Sequence, residues 1–207
     1  MATYKISYFD FPGGRGEDSR LALHLAGADF VDDRIPPPQW RDLKASTPYG
    51  GLPVLEVEGK GRLAQSNAIL GYLGRAFGMH PSDPWAAAQH EAIMAAVEDL
   101  RGKVGATLQI TDPEERKKAR EALASGAIPA FAAAVEAQLG DGPYVAGDAL
   151  NVVDLKLFVL QKWFISGSVD HVPATVFDGF PRLRGIHDAV AAHPAVVAWY
   201  ARFKPAT

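Results

Sequence analysis

Residues 48–69 read PYGGLPVLEVEGKGRLAQSNAI. Within them Pro53-Val54-Leu55-Glu56-Val57 reads as a strand. Glu58-Gly59-Lys60-Gly61 is turn chemistry, and Arg62-Leu63-Ala64 returns as a short antiparallel partner. Ser66 then suits an N-cap, with Ile69, Leu70, Leu73 and Phe77 at helical spacing behind it. A hairpin running into a helix is the closing half of a mixed α/β unit.

The preceding residues supply the opening half. Tyr4, Ile6 and Tyr8 alternate with Lys5, Ser7 and Phe9, the period of a strand. Pro12, Gly13, Gly14 and Gly16 make a loop. Leu21, Ala22, Leu25 and Ala26 form the apolar stripe of a short helix that Gly27 is placed to end. Phe30 to Ile35 reads as a second strand, and Pro36, Pro37 and Pro38 forbid its continuation in a central ladder. A short helical turn is expected over Gln39 to Ala45. Residues 1–77 are therefore expected to run β-α-β-α-β-β-α.

Gly78 to Pro84 reads as a linker, after which the composition changes. From Trp85 the chain is alanine-rich with few strand signals. Helices are expected near 85–108, 113–139, 151–166 and 181–192, with a short one near 195–203. Residues 85–207 thus read as an all-helical domain. Asn151-Val152-Val153-Asp154 is a capping box, with Leu150 and Leu155 as its hydrophobic staple. Such a box serves folding rather than acid catalysis.

The 207 residues allow one large domain or two small ones. A content of 48% apolar and 22% charged residues suffices for a buried core. The net charge of -3 excludes the concentrated basic face of a nucleic-acid binder. No apolar run reaches the roughly 18 residues of a spanning helix, and the N-terminus lacks the parts of a signal peptide. There is no cysteine, which removes disulfides, thiolate metal sites and a cysteine nucleophile. Any thiol in the chemistry must arrive on a ligand. His24, His80, His90, His171, His187 and His193 show no metal-ligand spacing, so no metal is expected.

Several segments carry a resemblance in order and spacing. They are Tyr4 to Phe9, Arg34-Ile35 followed by Trp40 and Lys44, Pro48 to Val57, and Gln65 to Ile69. Weaker matches continue through Glu98-Asp99 and the capping box to Pro194-Ala195-Val196. Together they resemble the sigma class of glutathione transferases, the group that includes the haematopoietic prostaglandin D synthases. The resemblance implies a thioredoxin-like glutathione-binding domain followed by a helical bundle. That bundle would form the electrophile pocket and part of a homodimer interface. It also implies a cytoplasmic detoxification enzyme with glutathione as co-substrate, and no cofactor, nucleic acid or membrane partner.

Read alone, Tyr8 is an amphipathic strand residue. The resemblance makes it catalytic. The thiolate is the nucleophile, and a reference thiol of pKa about 8.5 is only a few per cent ionised at pH 7. A phenol O–H aimed at the sulfur favours the charged form. Lowering the thiol pKa by two corresponds to roughly 2.7 kcal/mol. Arg15 takes the place of the arginine that supports ionisation, on a loop one residue longer than usual. Alone it is equally a solvated arginine, and Gly14-Arg15-Gly16 is an incomplete phosphate-loop motif.

The resemblance places the γ-glutamyl carboxylate of glutathione at Gln65 and Ser66, on a helix N-terminus. It implies a cis bond at Leu52-Pro53 that offers the Leu52 backbone to the peptide. Trp40 and Lys44 would hold the glycyl end. Gly51 stands where a longer polar side chain is common. Asp99, alone a solvated helix charge, would reach the glutathione of the partner subunit. Phe9, Phe11, Gly14, Arg101, Val104 and Ala106 would line the electrophile pocket. Arg101 and Ala106 stand where prostaglandin D synthases carry bulky residues, which argues against prostaglandin H₂. Tyr49 is either an interface aromatic or plain surface.

The reaction expected is conjugation to small hydrophobic electrophiles. Its rivals are a glutathione-dependent isomerase or peroxidase, or a non-catalytic binding protein. The absence of cysteine excludes thiol-disulfide exchange through the protein itself.

Overall fold

A computed structural model describes residues 4–203. Residues 1–3 and 204–207, the extremes of the two expected domains, lie outside the described residues. Residues 4–82 with 192–203 form one compact unit, and residues 83–191 form another.

The first unit is built on a four-stranded sheet of order β2-β1-β3-β4. β1 (Tyr4–Phe9) pairs parallel with β2 (Phe30–Ile35) and antiparallel with β3 (Val54–Val57), which pairs antiparallel with β4 (Gly61–Ala64). The alternation predicted for β1 is present: Tyr4, Ile6 and Tyr8 are buried, and the residues between them are half-buried. α1 (Gly14–Leu25) and α3 (Ser66–Phe77) pack on one another and on the sheet. Between them α2 (Trp40–Leu43) is a single turn flanked by 3-10 turns. Ile6, Leu55, Ile69, Leu70 and Leu73 are fully buried, each worth about 1.5–3 kcal/mol of apolar burial. The arrangement is the thioredoxin-like one expected.

Two local expectations change. α1 ends as predicted, with Gly27 at φ 61 and the Ala28 N–H reaching back to the Leu23 carbonyl at 3.1 Å. Its buried face is wider than the apolar stripe, because every residue from Gly16 to Leu23 is buried, whereas Leu25 and Ala26 are only half-buried. The buried set includes Glu17, Asp18 and Arg20. At α3 the N-cap is Gln65, not Ser66, which is the first helical residue. The Gln65 carbonyl already accepts from the Ile69 N–H at 3.0 Å, so the helical ladder starts one residue earlier than side-chain preference indicates.

The second unit holds α4 (Pro84–Thr107), α5 (Pro113–Ser125), α6 (Ala127–Glu136), α7 (Val152–Ile165) and α8 (Pro181–Ala192). Asp83 and Asp112 cap α4 and α5, each accepting a first-turn amide at 2.8 Å, with a proline following at the position where no N–H is needed. The single helix expected over 113–139 is two. Gly126 sits at φ -126, ψ -85, outside the helical region, and Pro129 lies in the first turn of α6. In a continuous helix the Pro129 ring would clash with the preceding turn, so the break falls just before it. α7 is the unit's central element, buried from Val152 through Gln161. Asp154 accepts the Asn151 N–H at 2.7 Å, the acidic half of the capping box, and the Val145 N–H at 2.8 Å. No described helix is long and apolar enough to cross a membrane.

α9 (Pro194–Ala201) belongs to the first unit and packs on α1.

Candidate active site

Strand register places three of the first unit's candidates along one edge of the sheet. Ser7 pairs with Val54, and Val54 pairs with Ala64. The next row along therefore holds Tyr8 on β1, Pro53 entering β3 and Gln65 leaving β4. Strands lie about 4.8 Å apart, so this row spans roughly 10 Å.

Tyr8 is buried to 7% exposure, with its ring edge-on to Phe9 at 5.4 Å and tilted against Phe11 at 5.7 Å. Its hydroxyl oxygen accepts the backbone N–H of Arg15 at 3.0 Å. That amide is in the first turn of α1, where N–H groups have no helical partner and the dipole is positive. This bond uses the hydroxyl as acceptor, and a phenol also carries one hydrogen as donor. Close approach is enabled by two glycines. Gly14 has φ +70, and a Cβ there would sit 2.6 Å from the Tyr8 oxygen. A Cβ on Gly16 would overlap the Tyr8 ring itself.

Phe9 meets the Trp40 ring edge-on at 5.7 Å, so the start of α2 is tied to the end of β1. Phe11 is exposed, Arg15 is half-buried, and Lys44 is exposed in the turn after α2. The Leu52-Pro53 bond is cis, with Leu52 half-buried and Pro53 buried. Gln65 is exposed at φ 72, a left-handed conformation that costs a non-glycine residue about 1–3 kcal/mol. Its side chain makes no capping bond to α3, and Ser66 behind it is buried.

Beneath Tyr8 lies a charged cluster that an apolar-stripe reading of α1 does not find. Arg20 is fully buried. It donates to the carbonyls of Phe11 (3.2 Å), Phe9 (3.2 Å) and Tyr8 (3.5 Å), and through Nε to Asp32 on β2 at 2.7 Å. Glu17, equally buried, lies 3.4 Å from Arg20 and accepts the Trp199 indole N–H at 2.8 Å. Burial pushes the Glu17 carboxyl above its usual range, against the pull of Trp199, Arg20, Arg34 and Tyr200. The signal in sequence was the Glu17/Arg20 spacing of three on a helix.

In the second unit Asp99 is exposed on α4. It borders a groove of about 370 Å³ between α4 and α6, lined also by Ala92, Ala96, Lys103, Ala130 and Phe131. Arg101 and Val104 are buried and Ala106 is exposed. Arg101 pairs with Glu98 at 2.9 Å, and Glu98 also accepts from the buried Lys156 of α7 at 2.5 Å.

Known proteins match this chain along nearly all of it. Residues 4–75 match the family model of the glutathione S-transferase N-terminal domain, and residues 98–202 that of the C-terminal domain. The probable glutathione S-transferase 7 of Caenorhabditis elegans is 33% identical over 205 residues, covering 96% of both chains. The chain belongs to the glutathione S-transferase family. Within that family, the hematopoietic prostaglandin D synthase of Gallus gallus is 30% identical over 199 residues, with 96% of each chain covered. Among solved structures, the prostaglandin synthase D of Nilaparvata lugens superposes with a TM-score of 0.86 at 28% identity. It covers 99% of this chain and 100% of its own. The transferase fold and the likeness to the sigma-class group thus agree with the sequence reading.

Proposed function

We propose that this transferase joins the sulfur of glutathione to small hydrophobic electrophiles, with Tyr8 holding the sulfur as thiolate. The observation that carries the reading is the Arg15 N–H on the Tyr8 hydroxyl oxygen at 3.0 Å. It orients the hydroxyl by its acceptor side, and the N-terminus of α1 makes the phenol a stronger donor to a thiolate. Tyr8 keeps its proton throughout. The thiol proton leaves to solvent, the thiolate attacks the electrophilic carbon, a C–S bond forms, and a halide departs or an enone takes up a proton.

The remaining roles follow the same edge of the sheet. The row of roughly 10 Å from Tyr8 to Gln65 suits the cysteinyl and γ-glutamyl part of the tripeptide, with the glycyl end reaching past it. The uncapped first turn of α3 at Gln65 and Ser66 receives the γ-glutamyl carboxylate. The Leu52 backbone beside Pro53 meets the cysteinyl residue, and Trp40 and Lys44 receive the glycyl end. Phe9, Phe11 and Gly14 supply the electrophile's apolar surroundings in this unit. Arg15 contributes its amide first and its positive charge second.

A homodimer completes the reading. Tyr49, at φ 57, is 84% exposed, unusual for an aromatic, and the alanine-lined groove beside Asp99 has room for an aromatic ring. Asp99 would then serve the partner's glutathione, and Asp99→Asn would raise the glutathione KM several-fold. Sedimentation at micromolar concentration checks the assembly.

The decisive measurement is an ultraviolet titration of bound glutathione thiolate in the wild type and in Tyr8→Phe, alongside conjugation of 1-chloro-2,4-dinitrobenzene. A bound thiol titrating well below the reference, restored upward in Tyr8→Phe, is the expected result. An unmoved thiol in both would leave a binding protein. The likeness to prostaglandin D synthases favours isomerisation as the second reading. An isomerase returns glutathione unchanged, so product analysis separates the two.

A further inference from the structure

Conjugation at Tyr8 makes no direct use of Glu17, Arg20 or Trp199, although all three are fully buried. Arg20 spends its planar fork on the backbone where the chain leaves β1. The three carbonyls it holds, those of Tyr8, Phe9 and Phe11, define the turn that brings Arg15 back over the Tyr8 hydroxyl. Its Nε is anchored on Asp32, and its Cζ lies 5.7 Å from the Tyr8 ring centre. A lysine could not do this, since a point ammonium lacks the fork that reaches several acceptors at once.

Arg20 is in turn oriented. Glu17 Oε2 lies 3.4 Å from it, and Glu17 Oε1 accepts from Trp199 Nε1 at 2.8 Å. The groups facing Glu17 are Arg20 on its own helix, Arg34 on β2, and Trp199 and Tyr200 on α9; Asp18 also faces Tyr200. The set reaches the site through the Arg20 bonds to the Tyr8, Phe9 and Phe11 carbonyls, so its effect on chemistry runs through the placement of Tyr8 and the Arg15 amide.

We propose that Arg20 is a positioning residue for Tyr8, and that Trp199 of α9 holds it in register through Glu17. The inference rests on Tyr8 being the thiol activator. Activation by a positioned group is sensitive to displacements of about 1 Å, so slackening the cluster changes the thiol before it changes binding. α9 therefore acts on thiol ionisation without entering the site.

The test measures three quantities on the full chain: the pKa of bound glutathione by thiolate absorbance, the glutathione Kd, and the thermal midpoint. Wild type and Tyr8→Phe test the reading of Tyr8. Arg20→Lys keeps the charge and loses the fork, and Trp199→Phe keeps a ring and loses the N–H. Should Trp199→Phe not fold, benzothienylalanine placed at 199 keeps the ring volume without the N–H. In both Arg20→Lys and the Trp199 variant the bound thiol's pKa is expected to rise by roughly 0.5 or more. That is about a three-fold lower thiolate-to-thiol ratio. The glutathione Kd should stay within about two-fold, and the rise should be larger for Arg20→Lys. A lowered thermal midpoint with the thiol pKa unchanged would show a purely structural cluster and overturn the inference alone. A wild-type thiol that is not shifted, with no response in Tyr8→Phe, would overturn the Tyr8 reading and this inference together.

Discussion

α1 and α7 both bury charges inside their units, yet the two helices use them differently. On α1, Arg20 ends its bonds on backbone carbonyls around Tyr8 and on Asp32, and Glu17 accepts from Arg20 and Trp199. On α7, Asp154 closes on the Asn151 amide at the helix start and on the Val145 amide of the preceding loop, and Lys156 braces Glu98 of α4. The first cluster shapes the turn around Tyr8. The second secures a helix start and a helix pair. Burial and charge look the same in both, so what separates a site-building cluster from a fold-building one is where its hydrogen bonds terminate.

Four experiments press on that contrast. The largest expected effect is on α7. Asp154→Ala leaves the Asn151 and Val145 amides without their acceptor and should lower unfolding free energy by about 3 kcal/mol in urea titration. The bound thiol's pKa should not move. Tyr8→Phe should do the reverse. Turnover with an aryl halide should fall by roughly 30-fold, about 2 kcal/mol, while urea stability changes by less than about 1 kcal/mol.

The third experiment concerns pH. Burial pushes the Asp154 carboxyl from its ordinary 3.8 up to about 6, against hydrogen bonds from Val145 and Asn151 that pull it down. The folded state therefore holds this proton through a window in which the unfolded chain has released it. Stability contributed this way is present below about pH 4 and lost as pH rises toward 6, by about 2 kcal/mol. Asp154→Asn should flatten the urea midpoint across that window. A slope that survives in Asp154→Asn assigns it to another group, Glu17 being the next buried carboxyl with a raised pKa. The smallest effect is expected at Gln65→Gly. Relief of the left-handed strain offsets the extra chain freedom of glycine, so stability should change by less than about 1 kcal/mol, with glutathione KM raised a few-fold.

The architecture was readable because its signals are local. Alternation marked β1, three prolines stopped β2, Gly27 ended α1, and Asn151 with Asp154 opened α7. Where the reading missed, the deciding interaction was either remote or contrary to preference. Propensity favours Ser66 as a cap, but the chain turns at Gln65 in a conformation glutamine seldom adopts. A continuous helix through 126 fits the alanine-rich pattern, and only Gly126 taken together with Pro129 shows the break. Arg20 lies outside the apolar stripe read for α1. Its partners are Asp32 on β2 and Glu17, itself tied to Trp199 across 182 positions of sequence. The candidate residues at Tyr8, Trp40, Pro53 and Gln65 came from a resemblance to known transferases. Strand register then gave three of them a shared edge, and the Phe9–Trp40 contact brought in the fourth.

The indole bond between Trp199 and Glu17 also has a history in the making of the molecule. A ribosome delivers Glu17 early and Trp199 182 residues later. At about 5–20 residues per second, the carboxylate waits on the order of ten seconds or more for its donor to be synthesised. Through that interval the nascent sheet and α1 can assemble around an ionisable group that α9 has not yet covered. The thioredoxin-like unit is therefore finished only after the helices of the other unit have been translated.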